Sequence, residues 1–231
     1  MPLHLHSMPT RPHPRLILAS ASPRRAEILR RAGFRFTTRP ASVDESVRPG
    51  ELPAVHVTRL AREKARAGAK GISGPAVVIG ADTVVVVGRK ILGKPASRRD
   101  ARRMLRLLSG RTHAVLTGFA VLYLPRQKRR SRTLTGATLR SAVESTRVTF
   151  APLSAREITA YLASGEPMGK AGAYAIQGRA GKFVTRIEGC YFNVVGLPLA
   201  RLYSMLRKAG LENVSRKNKR RPKPSGRRRK G

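Results

Sequence analysis

A short segment at residues 20–25, with the sequence SASPRR, places two hydroxyls and two arginines where a predicted strand meets a predicted helix. The free backbone N–H groups and the dipole at the start of a helix favour an anion. Arginine adds a planar set of donors that suits phosphate oxygens. Ser20, Ser22, Arg24 and Arg25 are therefore predicted to bind a phosphate. The alternative is an ordinary capped helix with a solvated basic first turn, although positive charge there opposes the helix dipole.

Asp82 is a second candidate, because it lies inside an apolar run, AVVIGADTVVVV, at residues 76–87. An unpaired carboxylate buried in a strand is costly unless it meets a cation, hydrogen-bond donors or solvent at a cleft. The alternative is an aspartate that caps backbone N–H groups at a strand break beside Gly80. Among the three aspartates of the chain, only Asp82 lies in an apolar run, which favours a functional role.

Three further charged side chains are candidates for the same site. Lys64 shares a predicted helical face with Leu60, so it points inward or extends to a rim. Lys94 follows the Asp82 strand in a turn, and each of these lysines alone is more often a surface residue. Glu45, in the motif VDES, could form a Mg²⁺ site together with Asp82 and phosphate oxygens.

The segment at 165–198 is rich in glycine and favours close backbone approaches around a site over a regular element. Lys170 and Gln177 are its notable polar groups, and Gln177 could hydrogen-bond a nucleobase edge. The alternative is a pair of glycine-rich turns with exposed polar residues. Cys190 has no histidine near it in the sequence, so we interpret it as a small apolar residue and not as a nucleophile.

The elements that must position these residues alternate between strand and helix signals, which favours an α/β domain. Ser22, Ser97 and Ser154 are typical N-cap residues. Helices are predicted after each of them, from 53 to 70, and over about 198–209. Strands are predicted at 15–20, 34–38, 76–87, 112–124 and 137–150, with a short return strand after residue 88.

Composition limits the class of protein. The 231 residues carry 48 Lys+Arg against 12 Asp+Glu, a formal charge of +36, which predicts polyanionic partners. One cysteine excludes an internal disulfide framework. No apolar stretch has the length of a membrane span and no secretory signal is evident, so we expect a cytoplasmic protein without a membrane partner. The basic tail at 211–231 is expected to be disordered and to make weak, non-specific nucleic-acid contacts.

Seven motifs in a fixed order resemble the Maf family of nucleoside triphosphate pyrophosphatases over roughly residues 15–209: LILASASPRR, VDES, RLAREKA, GADTVVVVGRKILGKP, RRMLRLLSGRTHAVLTG, SGEPMGKAGAYAIQG and NVVGLPL. The resemblance implies an α/β fold with an elongated mixed sheet flanked by helices and a central cleft, like that of inosine triphosphate pyrophosphatases. It also implies hydrolysis of a nucleoside triphosphate to the monophosphate and pyrophosphate with a divalent cation, Mg²⁺ or Mn²⁺, and a homodimer.

By the same resemblance, Asp82 would be the general base for water, and Glu45 and Asp82 would hold the metal. Residues that would hold the triphosphate are Ser20, Arg24, Arg25, Lys64 and Lys94. An arginine at position 24, Thr83 and Gln177 are similar to the dTTP/UTP subtype, whereas relatives acting on 7-methyl-GTP carry tryptophan at position 24. The chain departs from the family pattern at Gly169, Ala175 and Cys190.

The predicted organisation is an N-terminal extension at 1–14, a nucleotide pyrophosphatase domain at 15–210 with a basic loop at 125–136, and the basic tail at 211–231. Two alternatives remain open. One is a Maf-like pyrophosphatase with another base preference, such as 7-methyl-GTP. The other is a nucleic-acid-binding protein with a vestigial nucleotide site, although the low aromatic content, 5%, provides few side chains on which bases could stack.

Overall fold

A computed structural model describes residues 14–125, 136–208 and 211, and its centre is one mixed sheet. The seven strands are β1 (Arg15–Leu18), β2 (Thr37–Thr38), β3 (Ala76–Val87), β4 (Lys90–Leu92), β5 (Thr112–Leu124), β6 (Thr138–Phe150) and β7 (Val184–Glu188). Their order is β2-β1-β3-β5-β6-β7, and β4 pairs with the end of β3. Strand β1 is parallel to β2 and β3, whereas β3, β5, β6 and β7 pair antiparallel.

In the described part of the chain, six helices flank this sheet: α1 (Pro23–Arg31), α2 (Pro53–Ala69), α3 (Arg98–Leu108), α4 (Ala155–Ala163), α5 (Tyr191–Val195) and α6 (Leu199–Arg207). The three predicted N-caps are confirmed, since Ser22, Ser97 and Ser154 each accept a hydrogen bond from a backbone N–H in the first turn. The predicted α/β fold, a mixed sheet flanked by helices, is therefore confirmed.

The alternation of side chains along the strands divides the core between the two faces of the sheet. Leu16, Leu18 and Ile79 pack with α1, α5 and α6 on one face. On the other face, Ile17 and Val78 pack against α2. A third cluster joins α3 and α4 to the far half of the sheet. Each face of the central strands is thus fully covered, which is why β3 is an almost continuous apolar run.

Two glycines bring α2 unusually close to the sheet. A Cβ atom built on Gly80 of β3 would lie 2.1 Å from the backbone oxygen of Ala61, and one on Gly118 of β5 would lie 2.3 Å from that of Val57. Only glycine allows this separation. Because Gly80 and Asp82 project from the same face of β3, the close approach also sets Lys64 of α2 beside Asp82.

Two sequence predictions differ from the structure. The strand expected at 34–38 is reduced to β2, because Phe34 and Phe36 pack against the core on the α1 face instead of extending the pairing. The segment at 165–198 contains β7 and α5 in addition to short 3₁₀ turns at Ala171–Ala173 and Arg179–Phe183. The signal of β7 is weak because it pairs only with β6 and is mostly exposed.

The predicted N-terminal extension, basic loop and basic tail lie outside the described residues, apart from Pro14, Pro125, Gly136 and Leu211. Among the residues that the structure does describe, no helix combines the length and apolar character required to cross a bilayer.

Candidate active site

A cleft of about 530 Å³ opens between the start of α1, the middle of β3 and the segments at 169–177 and 194–196. Every residue that the sequence predicts for the site contributes to its lining. These residues are Ser20, Ser22, Arg24, Arg25, Glu45, Lys64, Asp82, Thr83, Lys94 and Gln177. The predicted phosphate segment and the predicted acid, which are far apart in the sequence, therefore share one space.

Lys64 connects the two carboxylates of the cleft. Its ammonium, on a side chain with 8% of its area exposed, donates to Asp82 Oδ1 at 2.7 Å and to Glu45 Oε1 at 2.6 Å. Lys94 Nζ, which is mostly exposed, donates to Glu45 Oε2 at 2.7 Å. The four side chains form a continuous charge network in which two ammonium groups balance two carboxylates. Asp82 is thus a buried acid with a cationic partner and not a backbone cap.

This network fixes the ionisation of Glu45. Burial alone would raise the pKa of its carboxyl, but hydrogen bonds from Lys64 and Lys94 outweigh burial and lower the pKa to about 2. Glu45 is therefore an anion throughout the neutral and mildly acidic range. Its side chain is 41% exposed, so it can reach a ligand in the cleft without leaving Lys64.

Arg25 is buried beneath the cleft and takes a position that the sequence did not predict. Its guanidinium donates to the backbone oxygens of Gly196 (2.8 Å) and Ala81 (2.9 Å), and to the hydroxyls of Ser20 (3.1 Å) and Thr83 (2.9 Å). These bonds take four of the five N–H donors of an arginine. The geometry favours a positioning role, in which Arg25 ties α1 to β3 and to the turn before α6.

Arg24, which precedes Arg25 in α1, lines the cleft and makes no hydrogen bond or ion pair with the residues that the structure describes. Partial burial lowers its pKa, against the opposing influence of Tyr161 and Glu166. Lys170 lines the same wall, and its pKa is lowered by burial and then by the charge of Arg24. Arg24 and Lys170 are thus two cations that line the cleft with no direct carboxylate partner among the described residues.

Glu166 is a site-supporting residue that sequence reasoning missed. Its carboxylate accepts from the Tyr161 hydroxyl at 2.8 Å and from the Arg179 backbone N–H at 3.0 Å. A Cβ atom on Gly178 would lie 2.4 Å from Glu166 Oε1, so the glycine admits this contact. The available signal was an acidic residue in a strongly basic, glycine-rich segment. Its bonds hold the loop that carries Lys170 and Gln177.

A buried polar chain continues from the cleft through the sheet, and sequence reasoning missed it as well. Thr83 hydrogen-bonds Thr117 of β5 at 2.9 Å, and Thr117 donates to the backbone oxygen of Asn193 at 3.1 Å. Asn193, fully buried in α5, donates to the Val115 backbone oxygen and to Thr146. The chain holds α5 against β5 and β6, and thereby places the adjoining segment at 194–196 on the cleft.

The donor set fits a cation that arrives with phosphate. Among the described residues, no group of three or more His, Cys, Asp or Glu side chains could hold a metal alone. Glu45 and Asp82 supply two carboxylates on one ammonium, next to the open cleft. Mg²⁺ in proteins commonly uses one or two carboxylates together with substrate phosphates and several waters. The two acids therefore suit a substrate-linked cation better than a permanent metal centre.

A nucleotide-sized cleft that pairs one buried acid with a cationic wall, on a mixed α/β sheet, defines a phosphate-ester or phosphoanhydride hydrolase in chemical terms. The comparison with known proteins identifies the family, because residues 15–209 match the model described as "Maf-like protein". The chain belongs to this Maf-like family.

Curated relatives match over most of their length. A protein of Anaeromyxobacter dehalogenans named dTTP/UTP pyrophosphatase is 52% identical over 197 residues, which cover 85% of this chain and 95% of the relative. A protein of the same name from Pelotomaculum thermopropionicum is 51% identical over 195 residues, which cover 84% of this chain and 96% of the relative. A solved structure of a nucleoside-triphosphatase/dITP/XTP pyrophosphatase from Mycobacterium abscessus is 15% identical to this chain and has a TM-score of only 0.33. The match covers 84% of this chain and 97% of the solved one.

Proposed function

We propose that the protein hydrolyses nucleoside triphosphates, with dTTP and UTP preferred, to the nucleoside monophosphate and pyrophosphate. The observation that carries the proposal is that the Asp82–Lys64–Glu45 network lines the same cleft as Arg24 and Lys170. The dTTP/UTP pyrophosphatase names of relatives that are 52% and 51% identical support both the reaction and the base preference.

The proposed reaction is attack of water on the α-phosphorus. Asp82 accepts a hydrogen bond from Lys64 only at Oδ1, so Oδ2 has no hydrogen-bond partner among the described residues and is available to a water molecule. A water proton passes to Asp82 as the new P–O bond forms and the bond to the bridging oxygen breaks. The hydrogen bond from Lys64 orients the Asp82 carboxylate in the state before attack.

The leaving pyrophosphate gains negative charge, and fixed cations stabilise that charge without reorganising. Arg24 and Lys170 line the same cleft as Asp82, and Lys94, mostly exposed, is bonded to Glu45. These three are the proposed phosphate contacts, with backbone and hydroxyl donors of Ser20 and Ser22 at the start of α1. Arg25 acts by holding this junction against β3.

We also propose that Glu45 and Asp82 hold a divalent cation, Mg²⁺ or Mn²⁺, in the substrate complex. When bound, the cation neutralises phosphate charge and lowers the pKa of a coordinated water. Lys64 must then share the two carboxylates with it, and its position between them keeps the carboxylates together before the cation arrives.

Base preference is assigned to Gln177 and Thr83. Gln177 is exposed at the cleft, and its amide offers one donor group and one acceptor, which matches the adjacent N–H and carbonyl groups of a uracil or thymine edge. Thr83 also lines the cleft, but its hydroxyl already bonds Arg25 and Thr117, so it shapes the site more than it reads the base.

The test is a panel of nucleoside triphosphates with Mg²⁺ or Mn²⁺, with pyrophosphate and orthophosphate measured separately. We expect pyrophosphate as the first product and dTTP and UTP as the best substrates. Orthophosphate as the sole first product would exclude the reaction. Preference for 7-methyl-GTP would overturn the base assignment, and absence of hydrolysis would favour the nucleic-acid-binding alternative.

Variants assign the roles in the same assay. Asp82→Asn should lower turnover by about 10²-fold or more, because proton acceptance is lost. Asp100→Asn is the matched control, since Asp100 lies on α3 outside the cleft and pairs with Arg103. Gln177→Ala should reduce dTTP and UTP hydrolysis while the fold is retained. An unchanged nucleotide profile would contradict the role of Gln177.

A homodimer is the proposed assembly, on the resemblance and on one structural feature. Val47, Leu52 and Val55 are exposed large apolar side chains close together in sequence near the start of α2. Such a group is a candidate contact surface. Sedimentation equilibrium should give twice the monomer mass, and Leu52→Glu should shift the protein towards the monomer. Nucleic-acid contact by the tail and a cytoplasmic location stay predictions.

A further inference from the structure

Helix α3 carries an arginine face that the nucleotide site does not use. Arg98, Arg99, Arg102, Arg103 and Arg106 project over an arc of roughly 140° at 100° per residue, opposite the buried Ala101, Met104, Leu105 and Leu108. Four of the five are exposed and Arg102 is half-buried. No residue of α3 lines the cleft, so the arginine face is a separate surface.

Helix stability does not account for this arrangement. Arg98 and Arg99 occupy the first turn, where the helix dipole disfavours positive charge. The pairs 98/102, 99/103 and 102/106 are like charges four residues apart, which destabilise a helix. The single acid on this helix, Asp100, pairs with Arg103. The sequence therefore places mutually repelling arginines on the exposed face of α3, which contributes least to folding.

Several arginines of the other helices are paired with acids. Arg30 and Arg31 of α1 both pair with Glu27. Arg59 of α2 pairs with Glu51 and Glu63. By contrast, Arg98, Arg99 and Arg106 have no acidic partner among the described residues. Their charge is thus available to an external anion.

The shape and chemistry of this face point to a nucleic-acid duplex. It forms a shallow groove of about 680 Å³, lined by Arg99, Arg102, Arg103 and Arg106 together with Ser97, Leu107 and Asp100, whose carboxylate is bonded to Arg103. From Arg98 to Arg106 the helix rises about 12 Å, so several phosphates of one backbone can be contacted together. Helix α3 has no aromatic residue on which unpaired bases could stack, which disfavours a single strand.

We propose that the arginine face of α3 binds the phosphate backbone of duplex DNA or RNA without reading its sequence. The contacts are salt bridges from exposed guanidinium groups to phosphate oxygens, which are strong and often bidentate for arginine. The apolar side of α3 packs in the same cluster as Tyr174, which lines the cleft, but no residue of α3 lines the cleft itself, so the proposed contact uses none of the nucleotide-site residues.

The experiment measures binding of the full-length protein to fluorescent DNA and RNA duplexes by anisotropy over a range of salt concentrations. The variant R98Q/R99Q/R106Q removes three unpaired charges of α3. The matched control R35Q/R66Q/R89Q removes three exposed arginines on other surfaces, so both variants lose the same net charge. Circular dichroism and dTTP hydrolysis verify that each variant is folded.

The α3 variant should bind at least about tenfold more weakly than the control at 0.15 M salt. The slope of log K against log salt concentration should fall in magnitude by about 2–3. A loss confined to one kind of duplex would identify DNA or RNA as the ligand. Equal losses in the two variants would overturn the proposal, since total charge would then explain binding. A loss on anionic lipid vesicles with duplex binding unchanged would also overturn it and assign the face to a membrane surface.

Discussion

Replacing Gly80 by alanine tests whether the approach of α2 to the sheet sets the geometry of the active site. The added Cβ atom would lie 2.1 Å from the Ala61 backbone oxygen and 2.6 Å from the Ala65 backbone nitrogen. Both neighbours are main-chain atoms of α2, so no side-chain rotation can relieve the overlap. The helix must move away from β3.

The size of that movement follows from ordinary contact distances. Real Cβ contacts are essentially never shorter than 3.0 Å, so α2 must shift by about 1 Å. Lys64 is carried on the same helix and is bonded to two carboxylates at 2.6 and 2.7 Å, from a buried position that leaves it little freedom to follow. Overpacking of this kind costs about 1–3 kcal/mol of stability. A displacement of about 1 Å in a catalytic group can lower the rate about 10²-fold.

Initial rates of pyrophosphate release from dTTP, together with thermal unfolding, measure both effects. Gly93→Ala is the matched control, because a Cβ atom there meets nothing within 4 Å. We expect Gly80→Ala to melt at a lower temperature than the control and to turn over far more slowly. Turnover within about twofold of the parent protein, at an unchanged melting temperature, would refute the reasoning that the glycine positions Lys64.

Three further predictions concern single side chains. Arg24→Gln should raise KM for the nucleotide with little change in melting temperature. Arg25→Gln should instead reduce the free energy of unfolding by about 3 kcal/mol, and so lower the melting temperature, because several buried acceptors lose a donor. The reverse pattern would exchange their roles. Burial lowers the pKa of His113 to about 4, below its unfolded value of about 6.5, so the unfolded state binds the proton first and stability is lost as the pH falls. In urea unfolding, the free energy of unfolding of the parent should fall by about 2 kcal/mol more than that of His113→Phe between pH 7 and pH 5. The same pH dependence of this free energy in both proteins would contradict the prediction.

Local signals in the sequence were sufficient for most of the fold. Ser22 and Pro23 start α1, and the capping box of Ser154 with Glu157 starts α4, because such caps depend on only a few neighbouring residues. The valine run of β3 predicted a strand covered on both faces. Strand β7 was missed, since an exposed edge strand has neither a continuous apolar run nor strong alternation.

The membership of the site was more predictable than its internal contacts. The resemblance to the Maf family placed Asp82, Lys64 and Glu45 in one cleft, but the pairing of one ammonium with two carboxylates depends on how α2 crosses β3. Arg24 and Arg25 are identical neighbours in sequence, and only the helical rotation of 100° separates the half-buried guanidinium from the hydrogen-bonded, buried one. No property of the dipeptide itself could show which arginine faces the ligand.

The cations of the cleft divide into two groups with different tasks. Lys64 lies between Glu45 and Asp82, so it attracts phosphate weakly but orients the carboxylate of Asp82. Arg24 and Lys170 line the same cleft without a carboxylate bonded to them among the described residues, so their charge is available to phosphate. This division keeps Arg24 and Lys170 from pairing with the proposed proton acceptor. A site in which all the cations paired with Asp82 would bind phosphate poorly and activate water poorly, because the same groups would serve both purposes.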